Sequence, residues 1–347
     1  MPLIPAIRLR TISINIFTAL GLKADKAQTI ANLLIESNLA GHDSHGVLRL
    51  PQYVLSIQSK AIDPDVEIEI VSETPSSAVI DGHSGLGQFI ATQAMEVAIA
   101  KAKEHTISTV NVYNCNHIGR LADYVMMAAE AKMIGLLFLN GHGGDHGVAP
   151  WGGTDRRLST NPFACALPTG KDSPMVIDLT TSIVAGGKIR AYRSRGEPLP
   201  EGWILDADGV PSADPNAYLE HPQGALLPFG DIAGHKGYGF SMLTDILAGA
   251  MCEAGCSRSS PSGVGNAFFI IVIDIKKFTD LADFEAHVSQ MIDFVKASPT
   301  APGFDEVSIP GERSARTRQQ RLAEGIPLDD TTWERLVETA QSVGVSV

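Results

Sequence analysis

No Gly-x-Gly-x-x-Gly follows a strand-like segment in this 347-residue sequence; the nearest strings, GHSGLGQF and HKGYGFS, have the wrong spacing. The usual glycine fingerprint of a doubly wound dinucleotide site is therefore missing. A Gly-x-x-x-x-Gly-Lys-Ser/Thr loop, a Gly-x-Ser-x-Gly elbow and a His-Glu-x-x-His helix are absent too, which leaves phosphate-loop, serine-hydrolase and zincin chemistry without a motif. Cysteine is scarce. Cys115, Cys165, Cys252 and Cys256 are widely scattered and read as free thiols of a reducing compartment, not as a disulfide framework. The opening MPLIPAIRLRT lacks a continuous apolar segment with a cleavage site, and no run of about 18 apolar residues occurs, so a cytoplasmic protein is expected. Positive charge is in deficit as well: 27 Lys and Arg face 39 Asp and Glu, net −12. Such a surface repels phosphate backbones and anionic lipid, so neither nucleic acid nor membrane is an expected partner.

What is present describes an ordinary globular chain, 44% hydrophobic and 19% charged, long enough for two or three cooperating domains. Its 33 glycines and 20 prolines are dispersed, which points to many tight turns between short elements. From Arg8 to about Lys60, apolar residues recur at spacings of three and four, predicting helices. Val66–Val71 and Ser77–Gly82 read as strands, Gly85–Lys103 as an amphipathic helix, and ISTVNVY, IGLLFLN, MVIDLTT and NAFFIIVIDI as further strands. Helices are expected through LADYVMMAAEAK, near Gly237–Met251, through DFEAHVSQMIDFVKAS and through DDTTWERLVETAQSV. The predicted layout is an α/β chain of α+β type: a helical domain built from residues 1–72 and 281–347, with an α/β domain inserted at 73–280.

Six of the ten histidines stand beside glycine-rich turns: His42 and His45 in GHDSHG, His117 in NHIGR, His142 and His146 in GHGGDHG, and His235 in GHKGYG. Imidazole is the commonest acid/base group near neutral pH, and turns beside strands often carry catalytic groups. If a helix begins near Gly46, Arg49 and Tyr53 project from one face close to His45. A guanidinium there can hold a carboxylate while the imidazole exchanges a proton with the neighbouring oxygen. Arg49 reads equally as the partner of a surface acid. IDLTTS, HKGYG and SIPGE offer backbone N–H groups and close approach, though each also reads as an ordinary strand end or turn.

Taken together, SHGVLRLPQY, NHIGRLADY, WGGTDRRLSTNPFACALPTG, PMVIDLTTS, GEPLPEGWILDADGVPSADP, LLPFGDIAGHKGYGFSML and IPGERS resemble, in order, the malate/L-lactate dehydrogenase family of NAD(P)-dependent oxidoreductases. That family also includes ureidoglycolate, sulfolactate and diketogulonate dehydrogenases and cyclic imino-acid reductases. The resemblance implies a homodimer, a non-Rossmann NAD(P)-binding fold, and hydride transfer between nicotinamide and C2 of a small 2-hydroxy or 2-oxo acid. It implies His45 and His117 as the proton-exchanging candidates; of the two, His45 is preferred for its place beside the Arg49 carboxylate clamp. Ser44, Arg49 and Tyr53 fall on the substrate side. It assigns cofactor contacts to Thr160, Asn161, Asp178, Leu179, Thr180, Thr181, Ser182, His235, Lys236, Gly237, Pro310, Gly311 and Glu312, and no metal. NAD and NADP stay open, with Lys188, Arg190, Arg193 and Arg195 as candidate cations for a 2′-phosphate. The GHGGDHG loop departs from the family pattern, which leaves the substrate side chain open.

Three alternatives remain. One is a cyclic imino-acid reductase of the same family; another is a hydrolase or lyase with a metal held by pairs such as His42/His45 and His142/His146, with Asp43 and Asp145. The third is a non-catalytic small-molecule binding protein.

Overall fold

A two-residue strand, β1 (Leu3–Ile4), opens the chain and is followed by helices α1 (Ala6–Ala19), α2 (Ala24–Leu39) and α3 (Leu50–Gln58). The structure is a computed structural model and describes residues 2–260 and 265–347. Leu9, Ile12, Ile16 and Phe17 of α1 and Ile30, Leu34 and Ile35 of α2 are buried at helical spacing, so each helix turns one apolar stripe inward. The stripe is completed from the far end of the chain. β12 (Ile326–Pro327) pairs antiparallel with β1, and Leu336 and Ala340 of α11 (Asp330–Ser342) enter the same core.

The middle of the chain forms a seven-stranded sheet from β2 (Glu69–Glu73), β3 (Ser77–Gly85), β4 (Ile107–Cys115), β5 (Met133–Asn140), β6 (Phe163–Leu167), β7 (Met175–Leu179) and β11 (Asn266–Asp274). Their spatial order is β2-β3-β4-β11-β5-β6-β7. Only β3 and β4 run parallel, joined by the crossover helix α4 (Gly87–His105). All other pairs are antiparallel. Ala91, Ala94, Ala98 and Ala102 let α4 lie close on one face, beside α5 (Ala122–Glu130). Val110 and Val112 of β4 point into that core, so Asn111 between them points to the opposite face. There it donates to Leu247 O at 3.1 Å and Ala248 O at 3.3 Å in α8 (Gly234–Gly249).

A smaller body sits beyond β7. It contains α6 (Gly186–Arg195), β8 (Ile204–Leu205), β9 (Pro211–Ser212), the single-turn helix α7 (Pro215–Leu219) and β10 (Ala225–Leu226), around Val148, Val184, Ile189 and Ile204. Helix α9 (Leu281–Lys296) buries only Ile292 and reaches the 168–174 turn through Lys171–Asp293 at 2.6 Å. Helix α10 (Glu312–Glu324) buries no residue fully.

Several predicted elements shift. The strand expected at Val66–Val71 forms at Glu69–Glu73, because Val66 O is taken by the buried Lys26 ammonium at 2.7 Å. No helix begins at Gly46. Two 3₁₀ turns, Asp43–His45 and Val47–Arg49, flank an extended Gly46 (φ −89°, ψ −150°), and α3 starts only at Leu50 with Pro51 in its first turn. Among the described residues, no helix is long and apolar enough to cross a membrane.

Candidate active site

The site is built on the turn between α2 and α3. Asn38, near the end of α2, accepts from Val47 N at 2.8 Å and donates to Asp43 Oδ1 at 2.7 Å. Arg321 of α10 grips the same carboxylate at 2.6 and 3.1 Å. Only glycine fits at position 46, since a Cβ there would lie 2.1 Å from Asn38 Oδ1. Held this way, the turn presents Ser44, His45 and Arg49 on one side. Arg49 Nε donates to Ser44 O and its Nη1 to Gln52 Oε1, both at 2.8 Å; Nη2 makes no hydrogen bond among the described residues. The guanidinium is thus oriented by two bonds and keeps an edge for a ligand.

The second wall comes from the loop after β4. Asn116 Nδ2 donates to Ser84 O at 2.7 Å, Ile118 N to Asn266 Oδ1 at 3.1 Å, and α4 begins directly beneath at Gly87. A Cβ on Gly87 would lie 1.9 Å from Asn116 O and 2.7 Å from His117 O, so the loop rests on bare backbone. These braces aim His117 at α3, where the buried Tyr53 shares a 2.8 Å hydrogen bond with its Nδ1. The rings of His45 and His117 stack with centroids 5.6 Å apart and planes 6° from parallel. Ser44 Oγ lies 3.2 Å from His45 Nδ1. In each imidazole Nδ1 is engaged, and Nε2 is the nitrogen left to exchange a proton.

Burial first, then the Arg49 charge, lowers His45 to about 4 and His117 to about 3. His42 is also lowered to about 4, by burial and then by Arg120 and Arg313, while its Nε2 lies 3.3 Å from Ser314 Oγ in α10. Tyr53 is pushed above its ordinary value by burial, against the opposing Arg49 charge. At neutral pH the arrangement is therefore two neutral imidazoles beside a permanent cation.

A second group lies across β6 and β7. Thr160 O receives Thr181 N at 2.9 Å, Thr181 Oγ1 at 2.8 Å and Thr180 Oγ1 at 3.2 Å, and the Thr180 and Ser182 hydroxyls bond to each other. Asn161 is fully buried with φ +33°; its Nδ2 donates to Ser241 Oγ at 3.1 Å, whereas its Oδ1 has no partner among the described residues. Gly237 packs beneath Phe229, where a Cβ would come within 2.2 Å of the carbonyl oxygen. His235 meets Trp151 edge-on at 5.9 Å, and Lys236 is exposed. Leu179 pairs with Phe163.

Pro310, Gly311 and Glu312 lie at the other end of β7, where Pro310 O accepts from Val176 N at 3.1 Å. Two predicted carboxylates are already engaged. Asp178, pushed up by burial, accepts from Ala122 N at 2.9 Å, and Glu312 binds Lys296 Nζ at 2.6 Å and Ile309 N at 3.0 Å. Asp178 therefore braces the start of α5, behind the His117 loop.

Residues outside the predicted set also matter. Arg120 and Asp123 form a buried 2.8 Å ion pair, and the Arg120 charge acts on His42, His45 and Asp178. Arg120 was visible only as a letter within NHIGRLADY. His142 turns away from the site, its Nε2 accepting from Asn114 N at 3.3 Å. Among the described residues no three His, Cys, Asp or Glu side chains converge to hold a metal.

With this geometry in view, likeness to known proteins becomes informative. The sequence pattern of the malate/L-lactate dehydrogenase family matches residues 4–337. Malate dehydrogenase of Pyrococcus horikoshii is 39% identical over 99% of this chain and 96% of its own length. Malate/(S)-sulfolactate dehydrogenase of Methanothermus fervidus is 34% identical over 97% of both chains. Among solved structures, delta1-piperideine-2-carboxylate reductase from Pseudomonas syringae superposes with a TM-score of 0.82 at 26% identity, covering 98% of this chain and 100% of that one. A family pattern spanning nearly every residue and relatives aligned end to end lead to one conclusion: this chain belongs to the malate/L-lactate dehydrogenase family.

Proposed function

We propose that this chain is an NAD(P)-dependent dehydrogenase that interconverts a small 2-hydroxy acid and its 2-oxo acid. The observation that carries the proposal is the stacked His45–His117 pair, neutral at pH 7, beside an Arg49 guanidinium with an open edge. Arg49 binds the substrate carboxylate through that edge, and the adjacent C2 oxygen then lies toward the imidazoles. His45 Nε2 takes the hydroxyl proton during oxidation and returns it during reduction. Ser44 holds its Nδ1, and His117, pinned by Tyr53, supports the ring from below.

The residues fit a nicotinamide dinucleotide. Buried Asn161 Oδ1, without a partner among the described residues, suits an amide N–H, and the Thr180–Ser182 hydroxyls suit ribose or phosphate oxygens. When bound, the nicotinamide supplies or accepts the hydride at its C4 position. Thr160, Asn161 and Thr180–Ser182 would hold it, with His235–Gly237 beside them and Pro310–Glu312 at the far end of β7. A sheet with one parallel pair supports an extended, non-Rossmann mode of binding. Residues 1–72 and 281–347 then form a helical domain around the 73–280 body, in a cytoplasmic homodimer.

The structural likeness to a piperideine-2-carboxylate reductase favours a second reading, in which the same proton reaches a cyclic imine. One experiment tests both. A panel of 2-oxo acids and cyclic imines is assayed by loss of NADH or NADPH absorbance, with a chelator present, for wild type, His45→Asn and His117→Asn. His45→Asn is expected to lose roughly two to four decades of turnover while keeping NADH affinity by fluorescence, with a milder loss for His117→Asn. If both variants stay within a few-fold of wild type, the proton is carried elsewhere.

A further inference from the structure

Helix α3 is apolar on two sides. Leu50, Tyr53, Val54 and Ile57 face the core, whereas Leu48, just before the helix, and Leu55 turn outward and stay 45% and 66% exposed. An outward apolar face on a short helix calls for a partner of its own. Opposite it stands α11, which turns Leu336 and Ala340 into the core and leaves Thr332 and Arg335, three positions apart, along its flank. Between the two helices runs a cleft of about 460 Å³, within the size range of small-ligand sites. Its walls are aliphatic, from Val47, Leu48, Pro51, Leu55 and Leu336, and the described lining residues include neither an aromatic ring nor a carboxylate.

Two donors that line the same cleft are uncommitted. The Arg335 guanidinium makes no hydrogen bond or ion pair among the described residues. Asp329, the cap of α11 on which its charge acts, is already bonded to Thr332 N at 2.8 Å and to Thr332 Oγ1 at 2.7 Å. Gln52 Oε1 accepts from Arg49 Nη1 at 2.8 Å, which leaves the two N–H groups of its Nε2 without a partner among the described residues. On a chain of net charge −12, a guanidinium and an amide donor beside an aliphatic trough suit one anion with an apolar body.

We propose that this cleft binds an aliphatic monocarboxylate of about six to ten carbons, at a site separate from the substrate site. Arg335 and Gln52 Nε2 hold the carboxylate, and the alkyl chain lies along Leu48, Leu55 and Leu336. Gln52 belongs to both sites, since its Oε1 orients Arg49 while its amide nitrogen remains for the cleft. The proposal stands apart from the dehydrogenase reading, because binding is measured without turnover.

The test is titration calorimetry on the full chain with octanoate, butyrate and 1-octanol. Octanoate is expected to bind with a Kd of about 1 mM or tighter. Butyrate, which lacks most of the chain, should bind more than about tenfold more weakly. The uncharged 1-octanol should lose about 3- to 10-fold, and Arg335→Gln should lose the same factor for octanoate and nothing for 1-octanol. Arg335→Lys should recover part of that loss. Leu55→Asp, at an exposed position, should keep the melting temperature and weaken octanoate by more than about tenfold. Absence of octanoate binding, 1-octanol binding as tightly as octanoate, or an unchanged Arg335→Gln overturns the proposal. Arg49→Gln controls for capture at the substrate site and should keep octanoate affinity within about threefold. Loss of binding in Arg49→Gln but not in Arg335→Gln moves octanoate to the substrate site and also overturns it. If octanoate does not bind and Leu55→Asp halves the mass measured by light scattering, the cleft is an interface between copies of this chain.

Discussion

Replacing His117 with asparagine isolates one of the imidazoles that the fold keeps uncharged, and His42, His45 and His117 are the most strongly shifted of them. His42 and His45 are lowered to about 4 and His117 to about 3, against 6.5 for the free side chain. Between those values the unfolded chain takes up three protons that the folded chain refuses, so stability falls as the pH drops through that window. Asp123 acts in the opposite sense. Burial raises its carboxyl from 3.8 to about 7, so over the same range the folded chain keeps a proton that the unfolded chain has released. The four groups together leave a difference of about two protons, or a slope of roughly 2.7 kcal/mol per pH unit. His117→Asn removes one proton from that difference and lowers the slope by about 1.4 kcal/mol per pH unit. Carboxylates elsewhere titrate alike in both proteins and cancel in the comparison. Urea unfolding from about pH 6 to about pH 4.5 reads the result: the variant, less stable at neutral pH, should close on wild type by roughly 2 kcal/mol across the range. Parallel stability curves would show that His117 protonates normally in the folded protein, and the neutral stacked pair would have to be abandoned.

Arg49→Lys keeps the charge but loses the planar fork that binds Ser44 O and Gln52 while leaving an edge for substrate, so kcat/KM should drop about 10- to 150-fold; kinetics near wild type would place Arg49 outside the site. Gly87→Ala forces a Cβ into Asn116 O and should cost about 1–3 kcal/mol, seen as a lower melting temperature together with weaker turnover as His117 is displaced. An unchanged melting curve would contradict that packing. Light scattering on the eluting protein should report twice the 36.9 kDa chain mass, and a monomer at working concentration would remove the proposed homodimer.

How much of this was legible in the sequence depends on what each segment buries. The helices α1, α2 and α11 and the strands β4, β5 and β11 put apolar residues inside at a regular period, so their patterns showed before the fold was known. Helix α10, ERSARTRQQRLAE, fully buries nothing; α6 buries only Ile189 after two glycines; and β6 is five residues long. None of the three offered a long stripe of large apolar residues to read. SHGVLRLPQY and NHIGRLADY held the site residues, and the Tyr53–His117 hydrogen bond joins them across 64 positions. No spacing rule reaches that far. The turn at Gly46 was misread as the start of a helix because Asn38, which caps Val47, lies behind it in a different helix. The grip of Arg321 on Asp43 was likewise invisible, since the two residues lie 278 positions apart and meet only after both ends of the chain have packed.

The pairing of β1 with β12, and the core it closes, has a consequence for synthesis. The apolar faces of α1 to α3 wait for Leu336 and Ala340, which a ribosome makes about 280 residues after α3 ends. At about 5–20 residues per second, that interval is roughly 14–56 s. Throughout it, the nascent chain carries an uncovered greasy surface next to a half-built sheet. Holdase chaperones and aggregation compete for such a surface, so the yield of active protein should respond to translation speed and temperature more sharply than the stability of the finished fold would suggest.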